Sequence, residues 1–205
     1  MVSLLIMRHG ATPGNERRIY VGKRTDEGLS KRGKEQCRRA LVDPAVPKVY
    51  VSPMLRARQT ASICFPSAHQ IPVPGLEEFD FGVFEGRSAQ EMEDDEQYRA
   101  WVESGCVARC PEGEMLEDFM QRSNSALVRV LREAEQMGEQ HVVVVAHGGT
   151  IMSAFSQLCR EPRSYYGWHV DNCCGYAAQA RFDGDQVLLE HPQLFAPGKI
   201  EPQHA

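Results

Sequence analysis

The chain has 205 residues, 28 acidic against 23 basic side chains and a formal charge of −5. That acidic balance excludes a general nucleic-acid or membrane surface, which calls for a basic excess, so any anion the protein handles must be attracted locally. The length suits a single α/β domain; no apolar run approaches the ~18 residues of a spanning helix, Val2 to Met7 is too short for a signal-peptide core, and the expected compartment is the cytoplasm.

In chain order, Ser3 to Met7 is a short apolar run of buried-strand type that ends on Arg8-His9-Gly10, a cation, an imidazole and the smallest residue. Ser30 is the expected N-cap of a helix through about Val42, and Lys48 to Ser52 is expected as a strand. A helix is expected from Pro53 to about Cys64, with proline early, where its missing N–H costs little; Ile71 to Val73 is a further short strand. Ala89 to Glu103 is expected to be helical and Val107 to Gly113 a loop. Met115 to Met137 places Leu116, Phe119, Met120, Leu127, Val130 and Leu131 at mostly three- and four-residue spacing, an amphipathic helix ended by Gly138.

A second apolar run, His141 to Ala146, leads into His147-Gly148-Gly149 and a helix from Gly148 to Leu158. Tyr176 to Phe182 and Gln186 to Glu190 are expected as a hairpin around Asp183-Gly184-Asp185. Residues 1–192 are expected to form one domain, with 89–113 as a cap over the site and 193–205 as an unstructured tail. Seven cysteines, an odd number without a repeated spacing, fit reduced thiols better than a disulfide framework. Neither Cys106-x3-Cys110 nor Cys173-Cys174 has the spacing of a strong zinc site.

Alternating strands and helices imply a mainly parallel sheet covered on both faces, a three-layer α/β/α arrangement. Ligands bind such sheets at the carboxyl ends of the strands. Arg8-His9-Gly10 and His147-Gly148-Gly149 both belong at that edge, so two remote segments are expected to converge.

Five blocks in order resemble the histidine phosphatase superfamily, also called phosphoglycerate mutase-like: Leu5-Ile-Met-Arg8-His9-Gly10-Ala-Thr12-Pro-Gly-Asn15, Gly22 to Gly33, Ser52-Pro-Met-Leu-Arg56-Ala-Arg-Gln-Thr60, Glu78-Phe-Asp-Phe-Gly82-Val-Phe-Glu85-Gly86, and Ala146-His147-Gly148-Gly149. The resemblance implies a phosphoglycerate mutase-like fold and phosphoryl transfer through His9 as nucleophile, with Arg8 and Arg56 as phosphate-binding arginines. His147 is then the second histidine, stabilising the phosphoryl group, and Glu78 takes the acid/base position, with Asp80 as fallback. Physical need agrees. The anion requires fork-shaped donors, the nucleophile an imidazole kept neutral by nearby cations, and the leaving alkoxide a proton.

Thr12, Asn15 and the N–H of Gly148 at a helix N-terminus are further expected substrate donors. Arg24, Arg58 and the remaining histidines are read mainly as structural or exposed. Trp101, Trp168, Tyr165 and Tyr166 are read as packing groups, although 165–168 is also a candidate rim. No metal or other cofactor is demanded, because arginines and histidines supply the positive charge.

The expected partner is a small phosphomonoester, with no nucleic acid or membrane; nothing in the sequence fixes an oligomeric state. The short segment before His147 favours a phosphatase over a cofactor-dependent phosphoglycerate mutase, and Tyr98-x-x-Trp101 with Phe119-x-x-Arg122 resembles the α-ribazole phosphatase branch. Against that branch, Pro111-Glu-Gly-Glu114 replaces the usual Pro-Gly-Gly-Glu, and Met152 stands where many relatives carry arginine. A non-catalytic phosphate-ligand binding protein is the alternative from another class.

Overall fold

The computed structural model describes residues 1–40 and 46–197. Its elements run β1 (Val2–Arg8), α1 (Pro13–Arg17), α2 (Lys31–Arg39), β2 (Lys48–Val51), α3 (Leu55–Cys64), β3 (His69–Pro72), α4 (Glu96–Glu103), α5 (Leu116–Gln136), β4 (His141–Ala146), α6 (Gly148–Leu158), β5 (Gly175–Asp183) and β6 (Gln186–Phe195). Short 3-10 turns occur at Gly82–Phe84, Gln90–Met92 and Tyr165–Trp168.

The strands form one sheet in the order β3-β2-β4-β1-β5-β6. β3, β2, β4 and β1 are mutually parallel, whereas β5 is antiparallel to both β1 and β6. Side chains alternate across the strands and divide the core. Val2, Leu4 and Ile6 of β1, with Val142 and Val144 of β4, pack against Leu127, Val130 and Leu131 of α5 and Ile151 and Phe155 of α6. Met7, Val143 and Val145 face the opposite layer, where Cys37 of α2 meets Ala57, Ala61 and Cys64 of α3. The result is the expected α/β/α sandwich around a mostly parallel sheet.

β1 and β4 are neighbours in register, Arg8 beside Ala146. The chain leaves β1 toward α2 and β2 on one side, and leaves β4 through α6 toward β5 on the other. Connections that part in opposite directions leave a crevice at the carboxyl edge between the two strands.

Several boundaries differ from the sequence reading. Ser30 caps α2 through a hydrogen bond from the Gly33 N–H at 3.0 Å, but the helix closes at Ala40; Val42 lies outside the described residues. α3 begins two residues after Pro53, and its N-cap Met54 supplies no side-chain bond. Asp26 takes that role from a distance, accepting from the Leu55 N–H at 2.6 Å. The helix expected over Ala89 to Glu103 is split: Gln90–Met92 is one 3-10 turn, and Asp95 then caps α4 by accepting from the N–H groups of Gln97 and Tyr98.

β6 continues through Gln193, Leu194 and Phe195, which pair with Ala177, Tyr176 and Gly175, so the first residues of the expected tail are strand. Pro192 is tolerated because β6 is an edge. The rest of that tail, from 198 on, lies outside the described residues. The Pro13–Arg17 helix had no counterpart in the sequence reading.

Above α5, Phe79, Phe84, Met92, Tyr98, Trp101, Cys110 and Phe119 form a separate small aromatic core. It gives the segment between Glu78 and Leu116 packing of its own.

Candidate active site

His9 follows the last residue of β1, and its N–H donates to the Ala146 carbonyl at 3.0 Å, which joins it to the end of β4. The side chain is 3% exposed. Its Nδ1 lies 2.7 Å from the Gly10 carbonyl; a carbonyl only accepts, so Nδ1 carries the proton and Nε2 keeps its lone pair. Gly10 is required by close approach. A Cβ there would stand 2.8 Å from the Gly33 carbonyl oxygen and 2.7 Å from Cys37 Sγ.

His147 is the N-cap residue of α6 and is fully buried. Its ring lies 5.2 Å from that of His9, inclined at 63°. Nε2 is 2.7 Å from Ser52 Oγ. The Ser52 hydroxyl accepts from the Met54 N–H at 3.4 Å and is placed to donate its own proton to Nε2, the arrangement in which Nδ1 is the N–H of His147. Both imidazoles are held well below the ordinary histidine range, first by burial and then by the Arg56 and Arg8 cations, with each other's proximity adding for His147.

Arg56, on α3, is completely buried, and its guanidinium donates to main-chain carbonyls: Nη1 to Thr25 at 2.8 Å and Nη2 to Gly22 at 3.1 Å. Those carbonyls belong to a loop braced by Glu85, which accepts from the Thr25 hydroxyl at 2.6 Å and the Arg24 N–H at 3.0 Å. Arg8 is similarly aimed by Nη1 donation to the Val170 carbonyl at 2.9 Å. Carbonyl partners orient a guanidinium without cancelling its charge. Among the described residues, five buried side-chain polar atoms have no partner, and three of them are Arg8 Nε, Arg56 Nε and His147 Nδ1. Buried polar atoms are almost always paired, so three unpartnered ones on three neighbouring cationic or imidazole side chains make a candidate anion site.

Glu78 reaches the same place from the other side. Its carboxylate accepts from its neighbour Phe79 N–H at 3.0 Å and from the Gly149 N–H at 3.3 Å, beside the open N-terminal end of α6. Gly149 permits this, because a methyl group there would overlap the carboxylate and stand 3.0 Å from the Phe119 ring. Asp80, the fallback acid, is turned away and engaged with Arg24 Nε at 2.7 Å and the Gly82 N–H at 2.9 Å. Arg24 is thereby an ion-pair partner, and Arg58 lies with Leu55, His69 and Gln70 on another surface.

Thr12 and Asn15 are brought near but are mutually engaged. Asn15 N–H donates to Thr12 Oγ1, and the Thr12 N–H to Asn15 Oδ1, each at 3.2 Å, forming the capping box of α1. Asn15 shares a cleft with Arg8, whereas Thr12 is fully buried. Gly148, the first residue of α6, borders a cavity of about 260 Å³ together with Arg8 and Glu78.

Other groups bordering that cavity were not assigned to the site from sequence: Tyr20, Phe81, Leu116, Met152 and His169. Tyr165, Tyr166 and Trp101, read mainly as packing groups, border it too. These residues come from six separated segments; Phe81 and Trp101 lie in quoted motifs, but no single spacing connects the set.

The model of the histidine phosphatase superfamily (branch 1) matches residues 4–191. The chain belongs to that family. A broad-specificity phosphatase of Saccharomyces cerevisiae is 30% identical over 161 residues, 74% of this chain and 67% of the yeast protein. The crystal structure of the α-ribazole phosphatase from Shigella flexneri superposes with a TM-score of 0.76 at 27% identity, over 92% of this chain and 95% of that one. A phosphoglycerate mutase structure from Thermus thermophilus superposes at 0.67 with 26% identity, over 95% of this chain and 99% of the other. This histidine phosphatase is an enzyme of the phosphoric monoester hydrolase class, and the family implies a small phosphorylated substrate. No helix among the described residues is long and apolar enough to cross a membrane.

Proposed function

We propose that this histidine phosphatase hydrolyses a small phosphomonoester without a metal ion, through a phosphohistidine on His9. The observation that carries this reading is the pairing of the two buried imidazoles, 5.2 Å apart, with the unpartnered Nε–H groups of Arg8 and Arg56.

Arg8, Arg56, His147 Nδ1–H and the Gly148 N–H hold the phosphoryl oxygens and offset their charge as it redistributes; Asn15 approaches from the α1 side. The Nε2 lone pair of His9 attacks phosphorus, the bond to the alcohol oxygen breaks, and that oxygen takes a proton from the Glu78 carboxyl group. The Glu78 carboxylate then takes a proton from water, whose oxygen attacks the phosphohistidine, releasing inorganic phosphate and restoring Nε2. Segment 89–113 forms the roof of the site. α-Ribazole 5′-phosphate is a candidate substrate, supported by the likeness to the Shigella enzyme, and the reaction belongs in the cytoplasm.

The test is phosphate release from a panel of monoesters with excess chelator, combined with acid-stability analysis of the trapped phosphoenzyme. Release that survives chelation, an acid-labile phosphoenzyme in wild type, and loss of both in His9→Ala are the expected results. Undiminished turnover by His9→Ala, or its loss on chelation, overturns the reading.

A further inference from the structure

The cavity beside Glu78 has an unequal character. At its floor lie Arg8, Glu78 and Gly148, the phosphate end. One wall is a set of three mutually packed rings, with Tyr20 4.9 Å from Phe81 and 5.9 Å from Trp101, and Phe81 6.3 Å from Trp101. Tyr20 is also tied by its hydroxyl to that of Tyr98 at 2.9 Å, so this wall is formed before any ligand arrives. Leu116 and Met152 add aliphatic surface, and Tyr165 and Tyr166 close the other side.

The charge inventory of this cavity is short. Among the described residues, Arg8 and Glu78 are the ionic side chains that border it; Arg8 belongs to the phosphate end, and Glu78 supplies no positive charge to a second anion. His169, at the rim, is held below the ordinary histidine range by burial and by Arg8, so it supplies no cation at neutral pH. A carboxylate or second phosphate on the alcohol half would lose its water against aromatic walls and gain no counter-charge, a costly exchange. A flat apolar group would be stabilised by both burial and ring contacts. At about 260 Å³ the space lies at the small end of ligand pockets, which suits a compact alcohol half.

We propose that the alcohol half of the substrate carries a flat aromatic group and no second anionic group, with Met152 and the Tyr20–Phe81–Trp101 wall setting that preference. This rests on the phosphatase reading for the placement of the phosphate, and on the cavity itself for the rest. 

The experiment compares kcat/KM for three primary or secondary alkyl esters, benzyl phosphate, glycerol 3-phosphate and 3-phosphoglycerate, whose alkoxides all need a proton. Benzyl phosphate is expected to exceed glycerol 3-phosphate by about ten- to a hundredfold, as burial of one aromatic ring implies, and 3-phosphoglycerate by more. Met152→Arg, which adds a cation without removing a ring from the wall, is expected to shift the ratio of 3-phosphoglycerate to benzyl phosphate upward by roughly tenfold. Binding of benzylphosphonate and 3-phosphonopropionate, measured by calorimetry, separates the two readings. Tighter binding of benzylphosphonate in a protein that releases no phosphate supports this proposal while sinking the hydrolase mechanism. Phosphate release with 3-phosphoglycerate equal to or above benzyl phosphate leaves the mechanism standing and overturns the proposal, as does equal binding of the two phosphonates.

Discussion

Arg122 Nη2 donates to the main-chain carbonyl of Glu78 at 2.9 Å, while Nη1 donates to the carbonyls of Gly75 and Glu77, both at 2.9 Å. The same guanidinium is clamped by Glu114 at 2.6 and 2.8 Å, and Glu77 stands 3.7 Å from it. Arg122 therefore fixes the irregular segment from which the Glu78 side chain projects, without itself bordering the cavity. In Arg122→Lys the fork is lost and the segment is held at one point instead of three. Alkyl phosphate turnover is expected to fall about a hundredfold, the scale of positioned proton transfer. An ester with a good leaving group, such as 4-nitrophenyl phosphate, needs no proton and should lose far less. Equal losses on the two ester types would refute a positioning role.

Gly149 makes the Glu78 placement possible from the opposite side. Gly149→Ala would press a methyl group on the carboxylate, which is the free end of a flexible chain, and on the Phe119 ring at 3.0 Å. The carboxylate can swing away, so the protein is expected to fold with a melting temperature only a few degrees lower, consistent with a cost of about 1 kcal/mol. kcat on alkyl esters should fall at least tenfold, with less effect on 4-nitrophenyl phosphate. Unchanged kcat in a folded variant would show that the bond from the Gly149 N–H to Glu78 has no catalytic consequence.

Ser52 is placed to set the tautomer of His147. Ser52→Ala removes the hydroxyl at 2.7 Å from Nε2 and leaves a buried ring nitrogen without its partner, a cost of about 1–3 kcal/mol. Nδ1 no longer has to carry the proton, so the donor proposed for the phosphoryl oxygens is lost part of the time. About a tenfold decrease in kcat/KM is expected, with recovery in Ser52→Thr, which keeps the hydroxyl. Steady-state kinetics of the three proteins checks this, and failure of threonine to restore activity would point to packing at Ser52 instead.

The parts of this molecule that were legible in its sequence are those set by local pattern. β1 and β4 are apolar runs whose ends announce themselves in Arg8-His9-Gly10 and His147-Gly148-Gly149, and α6 begins and ends where the sequence reading places it. Boundaries fixed by remote partners were not legible: the start of α3 depends on Asp26, and the extension of β6 depends on pairing with Gly175 to Ala177. The same distinction holds at the candidate site. The residues proposed for the phosphate end lie in motifs because the chemistry proposed for them demands particular side chains at strand and helix ends. The cavity wall needs only apolar area from Tyr20, Phe81, Trp101, Leu116 and Met152, and many residues at many positions could supply that.

The two imidazoles also predict how stability depends on pH. In the unfolded chain each histidine takes a proton near its ordinary value of 6.5, whereas in the folded protein both His9 and His147 remain neutral well below it. Below about pH 6.5 the unfolded state therefore binds more protons, and stability falls as pH falls, until the folded-state values are reached. Above pH 6.5 neither group contributes a slope. Each histidine adds at most about 1.4 kcal/mol per pH unit within that window. Urea unfolding of wild type and His9→Gln at pH 6.5, 6.0, 5.5 and 5.0 should show a shallower decline in the variant, since one of the two excess protons is gone. In the same window kcat/KM should show no loss assignable to protonation of the free nucleophile. An activity profile that breaks near pH 6.5, together with identical stability slopes in the two proteins, would mean that His9 titrates as an ordinary exposed histidine and that burial beside Arg56 and Arg8 does not set its charge.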